Sequence, residues 1–460
     1  MSTSHLPPPT SHLSFKWAQQ DSNLRTSDYE SAALTAELWA RRAKSYLHAG
    51  RRQARARDNF RRVNAPAEST PVAPPLSGDP KIAVVVDWLA KPGGAELVIR
   101  EILAAFPEAT LFALFDVMSS SDRASITDRP AHTSFMQRIP GIAHRYRSLL
   151  PIMPFAIRSL DLSAFDVIIS SNHAVAKGVR VRPGQFHLCY CHSPMRYAWD
   201  MRDEYLEDHG ISGLKVAAAR TLLRWIRDWD RAAAAGVDRF VVNSRFVGER
   251  VRRSYGRESD VLHPPVDLDY FTPAGLSDTE LYVTASRHVA YKRIDRIVEA
   301  FRSLPDRRLV VLGDGPQRDR IHAAAAGAPN ITLLGEVPRA ELRGWFRKAR
   351  AFVFAAEEDF GIVPLEAQAC GTPVIALGKG GALETVRGKP RGDRTGLFFD
   401  DDSPATIAAA VREFEALVPP PLSDACRANA ERFDARSFRE ALKRQVAEGW
   451  AAKAASAPPR

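Results

Sequence analysis

The chain has 460 residues, of which 45% are hydrophobic and 26% charged, and its formal net charge at pH 7 is +10. This length accommodates two or more domains with separate cores, and the composition is typical of a soluble globular protein. A membrane-spanning class is excluded because no apolar run is long enough, and the polar, proline-rich start predicts no signal peptide. We therefore expect a cytoplasmic location.

The positive charge is concentrated near the start of the chain. Between Arg41 and Arg62, nine basic residues stand against one acidic residue, Asp58, and five prolines follow between positions 64 and 80. This pattern predicts that residues 1–78 form a basic, Pro-rich extension that is disordered or partly helical. A helix there is either solvated or in contact with an anionic membrane face. Nucleic acid is not an expected partner, because no recognised reader motif accompanies the charge.

Strands and helices alternate from Lys81 onward. The first strand, Ile82–Val86, is continuously apolar, as expected when both faces of a sheet are covered. Further strands are predicted at 165–170, 186–191 and 240–242, with a helix over 211–234. A second cycle follows, with strands at 282–285, 309–312, 331–334, 351–356 and 374–376. The alternation predicts an α/β protein with parallel sheets and two Rossmann-like domains, at 81–272 and 273–430, facing each other across a cleft.

Two glycines separate the first strand from its helix. Gly93 and Gly94 let the backbone approach a ligand closely, because no Cβ stands in the way. A tight turn without a ligand is the alternative interpretation.

The four cysteines give no zinc spacing. They read as small core residues in a reducing compartment, and they are Cys189, Cys191, Cys370 and Cys426.

The run from Cys191 to Asp200 (C-H-S-P-M-R-Y-A-W-D) follows a predicted buried strand. His192 should therefore point into the cleft, where an imidazole can exchange a proton or hydrogen-bond a sugar hydroxyl. The alternative is a histidine that caps the core. His173 carries a weaker signal and is interpreted as the end of its strand.

A basic loop opens the second domain. Arg287 ends a strand and Lys292 follows five positions later, a spacing that can neutralise a diphosphate leaving group without a metal ion. Solvated surface charges are the alternative. The later turn that contains Gly335 and Val337 lies at the same sheet edge, where backbone groups can hydrogen-bond a nucleobase.

Two glutamates flank the start of a predicted helix in the segment E-D-F-G-I-V-P-L-E. Glu358 follows a strand, the helix should begin near Gly361, and Glu366 lies further along it. Free backbone N–H groups at a helix start attract an anion such as a phosphate, whereas the carboxylates suit hydroxyl groups beside it. A sugar nucleotide offers both groups. The alternative is a capped turn with solvated glutamates.

Together these motifs resemble retaining glycosyltransferase family 4, nearest to its subgroup of bacterial polysaccharide mannosyltransferases. The resemblance covers residues from about 81 to 452 and rests on the glycine pair, the C-H-S-P-M-R-Y-A-W-D run, Asn243-Ser244, the S-R-x4-K loop and E-x7-E. Many family members have a glycine where this chain has Ser286, which leaves both charges of the basic loop in place.

The resemblance implies the GT-B fold, a metal-independent reaction without a cofactor, and specific roles. Arg287 and Lys292 would contact the donor diphosphate, Glu366 the ribose, and His192 the sugar and acceptor. Gly93 and Gly94 would close over the diphosphate from the first domain. The transferred sugar and its phosphate would be held by Glu358 and the backbone of Phe360, Gly361, Ile362 and Val363.

The last segment, 431–455, predicts a helix with one apolar face, formed by Phe433, Phe438, Leu442, Val446 and Trp450. In the GT-B fold such a helix crosses back to the first domain; packing on its own domain is the alternative.

The predicted function is transfer of a sugar, mannose from GDP-mannose, to a glycan or lipid-linked acceptor in surface polysaccharide biosynthesis. No side chain stands out as a nucleophile. The resemblance implies retention at the anomeric carbon and a front-face route in which the leaving phosphate takes the acceptor proton. A GT-B epimerase or phosphorylase, and a non-catalytic scaffold for anionic polymers or membranes, are the alternatives.

Overall fold

The structure is a computed structural model that describes residues 80–200, 214–275, 278–388, 393–418 and 420–456. The extension predicted over 1–78 lies outside these residues, as do the first three residues of the helix predicted over 211–234. Within the described ranges, no helix combines the length and apolarity needed to cross a bilayer.

The first domain contains a seven-stranded parallel sheet with the strand order β3-β2-β1-β4-β5-β6-β7. Its central strands are buried along their whole length, because helices cover both faces. The strands are β1 (Ile82–Val86), β2 (Thr110–Ala113), β3 (His132–Thr133), β4 (Val167–Asn172), β5 (Phe186–Cys191), β6 (Arg239–Val242) and β7 (Asp260–Val261).

The second domain contains a six-stranded parallel sheet with the order β10-β9-β8-β11-β12-β13. Strands β8 and β11 lie at its centre, so the loops that follow them meet at the middle of the carboxyl edge. The strands are β8 (Asp278–Ala285), β9 (Arg308–Leu312), β10 (Ile331–Gly335), β11 (Ala349–Phe354), β12 (Val374–Leu377) and β13 (Gly396–Phe399).

Helices connect the strands and cover the sheets. Those of the first domain are α1 (Gly94–Ala105), α2 (Ser120–Ala124), α3 (Ile142–Arg145), α4 (Met153–Arg158), α5 (Leu214–Ala234) and α6 (Arg245–Tyr255). Those that follow are α7 (Ile294–Arg302), α8 (Arg318–Ala325), α9 (Arg339–Lys348), α10 (Ile362–Ala369), α11 (Ala382–Thr385), α12 (Pro404–Glu415), α13 (Ser423–Glu431) and α14 (Ala435–Ala455).

The predicted fold class is confirmed: two parallel-sheet domains with strand–helix alternation face each other. The strand expected at 351–356 begins and ends two residues earlier, since residues 355 and 356 already belong to the loop that leaves the sheet. Strands β2, β3, β7 and β13 were not predicted. Two of them, β3 and β7, are two-residue edge strands, too short to produce a hydrophobic period.

Helix α14 crosses back and packs on the first domain, as predicted. Phe438, Leu442 and Val446 are buried in the core on one face of the first sheet. At the margin of this contact the Arg439 guanidinium donates to the Glu101 carboxylate at 2.5 Å. Four of the five residues predicted for the apolar face, Phe438, Leu442, Val446 and Trp450, therefore lie between the last helix and the first domain. The fifth, Phe433, was assigned wrongly, because it precedes α14 and is buried in the core of the second domain.

The chain passes between the domains twice, and the two crossings are joined. The backbone N–H of Val266, in the first crossing, donates to the carbonyl oxygen of Phe433, in the second, at 2.9 Å. Both residues are buried in the core of the second domain. The two crossings therefore form one paired connection.

The docking of α14 depends on a glycine. A Cβ at Gly449 would lie 2.1 Å from the ring of buried Phe186, whereas a Cβ at Gly344 in α9 would meet nothing within 4 Å. We expect Gly449→Leu to lower the free energy of unfolding by about 1–3 kcal/mol through overpacking. The control Gly344→Leu gains the same helix propensity and should be neutral or stabilising. Urea denaturation measures both; equal effects of the two variants would contradict this packing.

Candidate functional site

The carboxyl edge of the second sheet brings the basic loop and Glu358 together. Arg287 is exposed after β8, and Lys292 ends a short 3₁₀ turn, Ala290–Lys292. The Lys292 ammonium contacts the Glu358 carboxylate, and the side chains are only 13% and 16% exposed. Burial, and then neighbouring Arg196, lower the pKa of Lys292 to about 7, while Asp359 opposes the shift. The predicted basic loop and glutamate thus form a desolvated ion pair.

Lys292 is followed by a constrained residue. Arg293 has a φ of 56°, and among the described residues it is the one non-glycine residue with a positive φ. It lies in the left-handed region between the 3₁₀ turn and α7, and its side chain pairs with Asp402 at 2.8 Å. The reversal at Arg293 ends the turn that carries Lys292 and starts the helix behind it.

Helix α10 begins one residue after Gly361, close to the predicted position. Gly361 adopts a φ of 90°, which a glycine reaches without strain, so its peptide can turn the chain sharply from β11 into the helix. The first N–H groups of α10 have no partner within the helix and are available to an anion. Phe360 is buried beneath this turn, whereas Ile362 and Val363 are half-buried.

A second glycine pair, which the sequence analysis did not single out, supports the same turn. The N–H of Gly381 donates to the carbonyl oxygen of Glu358 at 2.8 Å. A Cβ at Gly381 would lie 2.3 Å from the Cα of Phe360, so only a glycine fits. The K-G-G run after β12 was the available signal, since glycines after a strand often mark a close backbone approach.

The glycine loop of the first domain reaches this helix start. Gly93 precedes α1, and a Cβ at Gly94 would lie 3.1 Å from the Cδ1 of Ile362. The two predicted backbone sites, one from each domain, are therefore in contact across the cleft. A side chain at Gly94 would therefore require Ile362 to shift slightly.

His192 follows β5 and lies at the carboxyl edge of the first sheet. Its Nε2 is 2.8 Å from the hydroxyl of Ser171, and its ring packs against Tyr190. Burial lowers the pKa of His192 to about 3, with a smaller contribution from His173. The imidazole is therefore neutral at physiological pH and can form hydrogen bonds.

Asp359, next to Glu358, joins the two domains. Its carboxylate pairs with the guanidinium of Arg250 in α6, and its carbonyl oxygen accepts from Ser244 at 2.5 Å. Nearby, Glu384 accepts from the N–H of Arg245 at 3.0 Å and lies 2.9 Å from His263. These contacts were not predicted, because they depend on the relative placement of the two domains. A cavity of about 520 Å³ lies beside them, lined among others by Arg196, Tyr291, Glu357 and Lys379.

Glu366 lies on α10 and is buried. Burial raises its pKa to about 7, although Arg339 opposes the shift. Gly335 ends β10 in the left-handed region, and half-buried Val337 follows shortly before Arg339 in α9. The residues predicted for the base and for the ribose therefore occupy neighbouring elements.

Two family models match consecutive parts of the chain. Glycosyltransferase Family 4 matches residues 92–270, and Glycosyl transferases group 1 matches residues 271–433. With the two facing parallel-sheet domains and the returning last helix, these matches place the chain among the glycosyltransferases of the GT-B fold.

Curated relatives are similar over part of the chain. A GDP-mannose-dependent alpha-(1-6)-phosphatidylinositol monomannoside mannosyltransferase of Mycolicibacterium smegmatis is 30% identical, with 45% of this chain and 59% of that protein covered. A D-inositol 3-phosphate glycosyltransferase of Xylanimonas cellulosilytica is 33% identical, with 39% and 49% covered. The chain thus spans about half of the length of these relatives.

Solved structures share the fold. Sucrose-phosphate synthase from Thermosynechococcus elongatus has a TM-score of 0.61 at 19% identity, with 81% of this chain and 100% of that chain covered. Anabaena Alr3699/HepE, solved in complex with UDP-glucose, has a TM-score of 0.58 at 18% identity, with 81% and 99% covered. These similarities concern the fold alone.

The raised pKa of Glu366 makes stability depend on pH. Between its unfolded pKa of about 4.5 and its folded pKa of about 7, the folded protein binds more protons at this site, so stability falls as pH rises. We expect Glu366→Gln to be more stable than wild type by about 1–3 kcal/mol at pH 8, and nearly equal to it at pH 5. Denaturant unfolding at both pH values measures the difference. Exposed Glu357→Gln is the control, and a loss of stability in Glu366→Gln at pH 8 would contradict the assignment.

Proposed function

We propose that the protein transfers mannose from GDP-mannose to a glycan or lipid-linked acceptor, with retention of anomeric configuration, in surface polysaccharide biosynthesis. The observation that carries this proposal is the Lys292–Glu358 pair at the start of α10, covered by the glycine loop of the first domain. The name of the Mycolicibacterium relative supports mannose and GDP-mannose. The C-H-S-P-M-R-Y-A-W-D run supports the polysaccharide subgroup.

Positive charge meets the leaving group in the proposed reaction. Arg287, Lys292 and the free N–H groups of α10 stabilise the negative charge that develops as the nucleoside diphosphate leaves. Glu358 exchanges its contact with Lys292 for the hydroxyl groups of the sugar, and Glu366 accepts from the ribose. No metal ion is required by this arrangement, because the cations and the helix start supply the charge.

His192 takes part as a neutral group in this scheme. Its imidazole hydrogen-bonds the sugar or the acceptor hydroxyl, and it does not act as a strong base because burial keeps its pKa near 3. The departing phosphate accepts the acceptor proton on the face of the sugar that it leaves. We therefore assign no protein nucleophile.

We expect Arg287→Ala and Glu358→Ala each to reduce sugar transfer by one to two decades. Loss of a charge-assisted contact costs roughly 1.5–3 kcal/mol in the transition state. Steady-state transfer from GDP-mannose, measured in the presence of EDTA, tests this. Arg436→Ala, an exposed arginine on α14, is the control. Activity within a few-fold of wild type in both site variants would refute the assigned roles.

The alternative enzymes are separated by product analysis. A transferase releases nucleoside diphosphate only when an acceptor is present, whereas an epimerase converts its substrate without an acceptor. A phosphorylase would instead consume inorganic phosphate. A scaffold would show no turnover, and its ligand binding would depend on residues 1–78.

The partner proposed for the membrane side is an anionic lipid surface at the cytoplasmic face. The described surface that favours it is the basic cap, residues 135–158 of the first domain, which lies within a stretch from 129 to 160 without any acidic residue. Phe135 is 47% exposed at its start. Its exposed arginines, which form no ion pair within the described part of the chain, are Arg138, Arg145, Arg147 and Arg158.

The basic cap adjoins the cleft. Tyr146 packs against Trp88, which follows β1, with ring centroids 5.2 Å apart, and Trp88 in turn contacts His173. A membrane bound at the cap would therefore present a lipid-linked acceptor close to the carboxyl edge of the first sheet. Charge complementarity and an exposed aromatic ring are the features of a peripheral lipid contact.

We expect Arg145→Glu/Arg147→Glu to lower partitioning into phosphatidylglycerol-containing vesicles by about tenfold or more. The matched control is Arg436→Glu/Lys443→Glu on α14. Co-sedimentation with these vesicles and with neutral phosphatidylcholine vesicles measures the effect. Transfer to a soluble acceptor should be unchanged. Equal partitioning of the cap variant and wild type would exclude the cap as the lipid contact.

A further inference from the structure

We propose that His173 is a further substrate-binding residue, an imidazolium that donates from Nε2 to a phosphate oxygen in the cleft. The proposed function assigns no role to this residue. The present proposal rests on that function only for the source of the phosphate. His173 directly follows β4, between the ends of β1 and β5 at the centre of the first sheet. It is therefore on the same edge as the glycine loop and His192.

Asp87 anchors His173 and orients its ring. The carboxylate of Asp87, at the end of β1, accepts four consecutive backbone N–H groups of residues 173–176 at 2.5–2.9 Å. The same carboxylate lies 2.9 Å from the Nδ1 of His173. Nδ1 must therefore carry a proton, which leaves Nε2 as the nitrogen that can face a ligand.

The ring is fixed and still accessible. Trp88 packs edge to face against it, with centroids 4.7 Å apart, whereas 35% of the His173 side chain remains exposed. Within the described residues, no hydrogen bond to Nε2 is present. An imidazole with a fixed ring and a free Nε2 at a sheet edge is preorganised to bind a ligand.

Three titratable side chains face His173: Asp87, Glu96 and His192. Burial opposes the charged form of His173, but Asp87 and then Glu96 outweigh it and raise its pKa. Burial raises the pKa of Glu96, whereas His173 opposes that shift. His192 is neutral. The cationic histidine of this edge is therefore His173.

The neighbouring loop indicates the chemistry of the ligand. Glu96 lies in the first turn of α1, and its Oε2 would be 3.1 Å from a Cβ at Gly93. His173 thus adjoins the glycine loop that meets the start of α10. A cation and two helix starts at one place suit a phosphate oxyanion. That phosphate belongs either to the donor diphosphate or to a phosphorylated acceptor.

The test compares wild type with His173→Gln and His173→Lys, and with His322→Gln on α8 as a matched exposed histidine. Calorimetry gives the Kd for GDP, UDP and inorganic pyrophosphate. We expect His173→Gln to weaken binding roughly ten- to hundredfold. His173→Lys should stay within a few-fold of wild type. Raising the pH from 6 to 9 should weaken binding to wild type more than to His173→Lys, because Lys292 is present in both proteins and, at position 173, the imidazolium loses its proton over this range whereas a lysine ammonium keeps its own.

The outcomes separate the two sources of phosphate. Weaker binding of GDP and pyrophosphate to His173→Gln would show that His173 binds the donor diphosphate. Unchanged Kd values in this variant, with a raised KM for a phosphorylated acceptor only, would show that His173 binds the phosphate of the acceptor. If pyrophosphate binds through His173 but neither nucleotide binds, the proposed donor fails and this proposal stands. Unchanged binding and KM in His173→Gln would overturn it, and so would equal losses in the Gln and Lys variants accompanied by lower thermal stability.

Discussion

The turn that leaves β11 couples the chemistry to the contact between the domains. Glu358 faces Lys292 within the second domain, and the next residue, Asp359, faces Arg250 and Ser244 of the first domain. Consecutive residues of a turn point in different directions, so one short segment can serve both. Its geometry in turn depends on Gly361 and Gly381, which allow the backbone to turn and to be approached closely. A change in this turn would move the Glu358 carboxylate and the domain contact together.

The site contains ionisable groups that burial disfavours. The pKa of Lys292 and that of Glu366 are both displaced towards 7, from opposite sides, by loss of hydration. Burial of such groups costs stability even where an opposite charge is in contact, as Glu358 is with Lys292. Desolvation also strengthens any charge interaction that a bound diphosphate would make. The burial that costs stability would therefore also strengthen the binding of an anionic ligand in the cleft.

Much of the fold could be predicted from local patterns. Continuous apolar runs such as Ile82–Val86 identified the central strands, because both faces of these sheets are covered. The start of α10 was also predictable, since Gly361 separates an apolar strand from a helical pattern. The edge strands β3 and β7 were missed, because two residues carry no periodicity. The contacts of Asp359 with Arg250 and of Gly94 with Ile362 could not be predicted, because they join segments that only the domain arrangement brings together. His173 was undervalued for a similar reason: its proton depends on Asp87, which lies 86 residues earlier.

The paired crossings between the domains have a mechanical consequence. A single connecting segment would let the domains rotate relative to each other in all directions. Here two connecting segments are joined by the hydrogen bond between Val266 and Phe433, and α14 packs the second segment against the first domain. Such a two-point attachment resists twisting and sliding of the domains but permits rotation about the line that joins the two connecting segments. Any opening of the cleft would thereby be limited to one principal motion, and closing would return Gly94 to the same place beside Ile362.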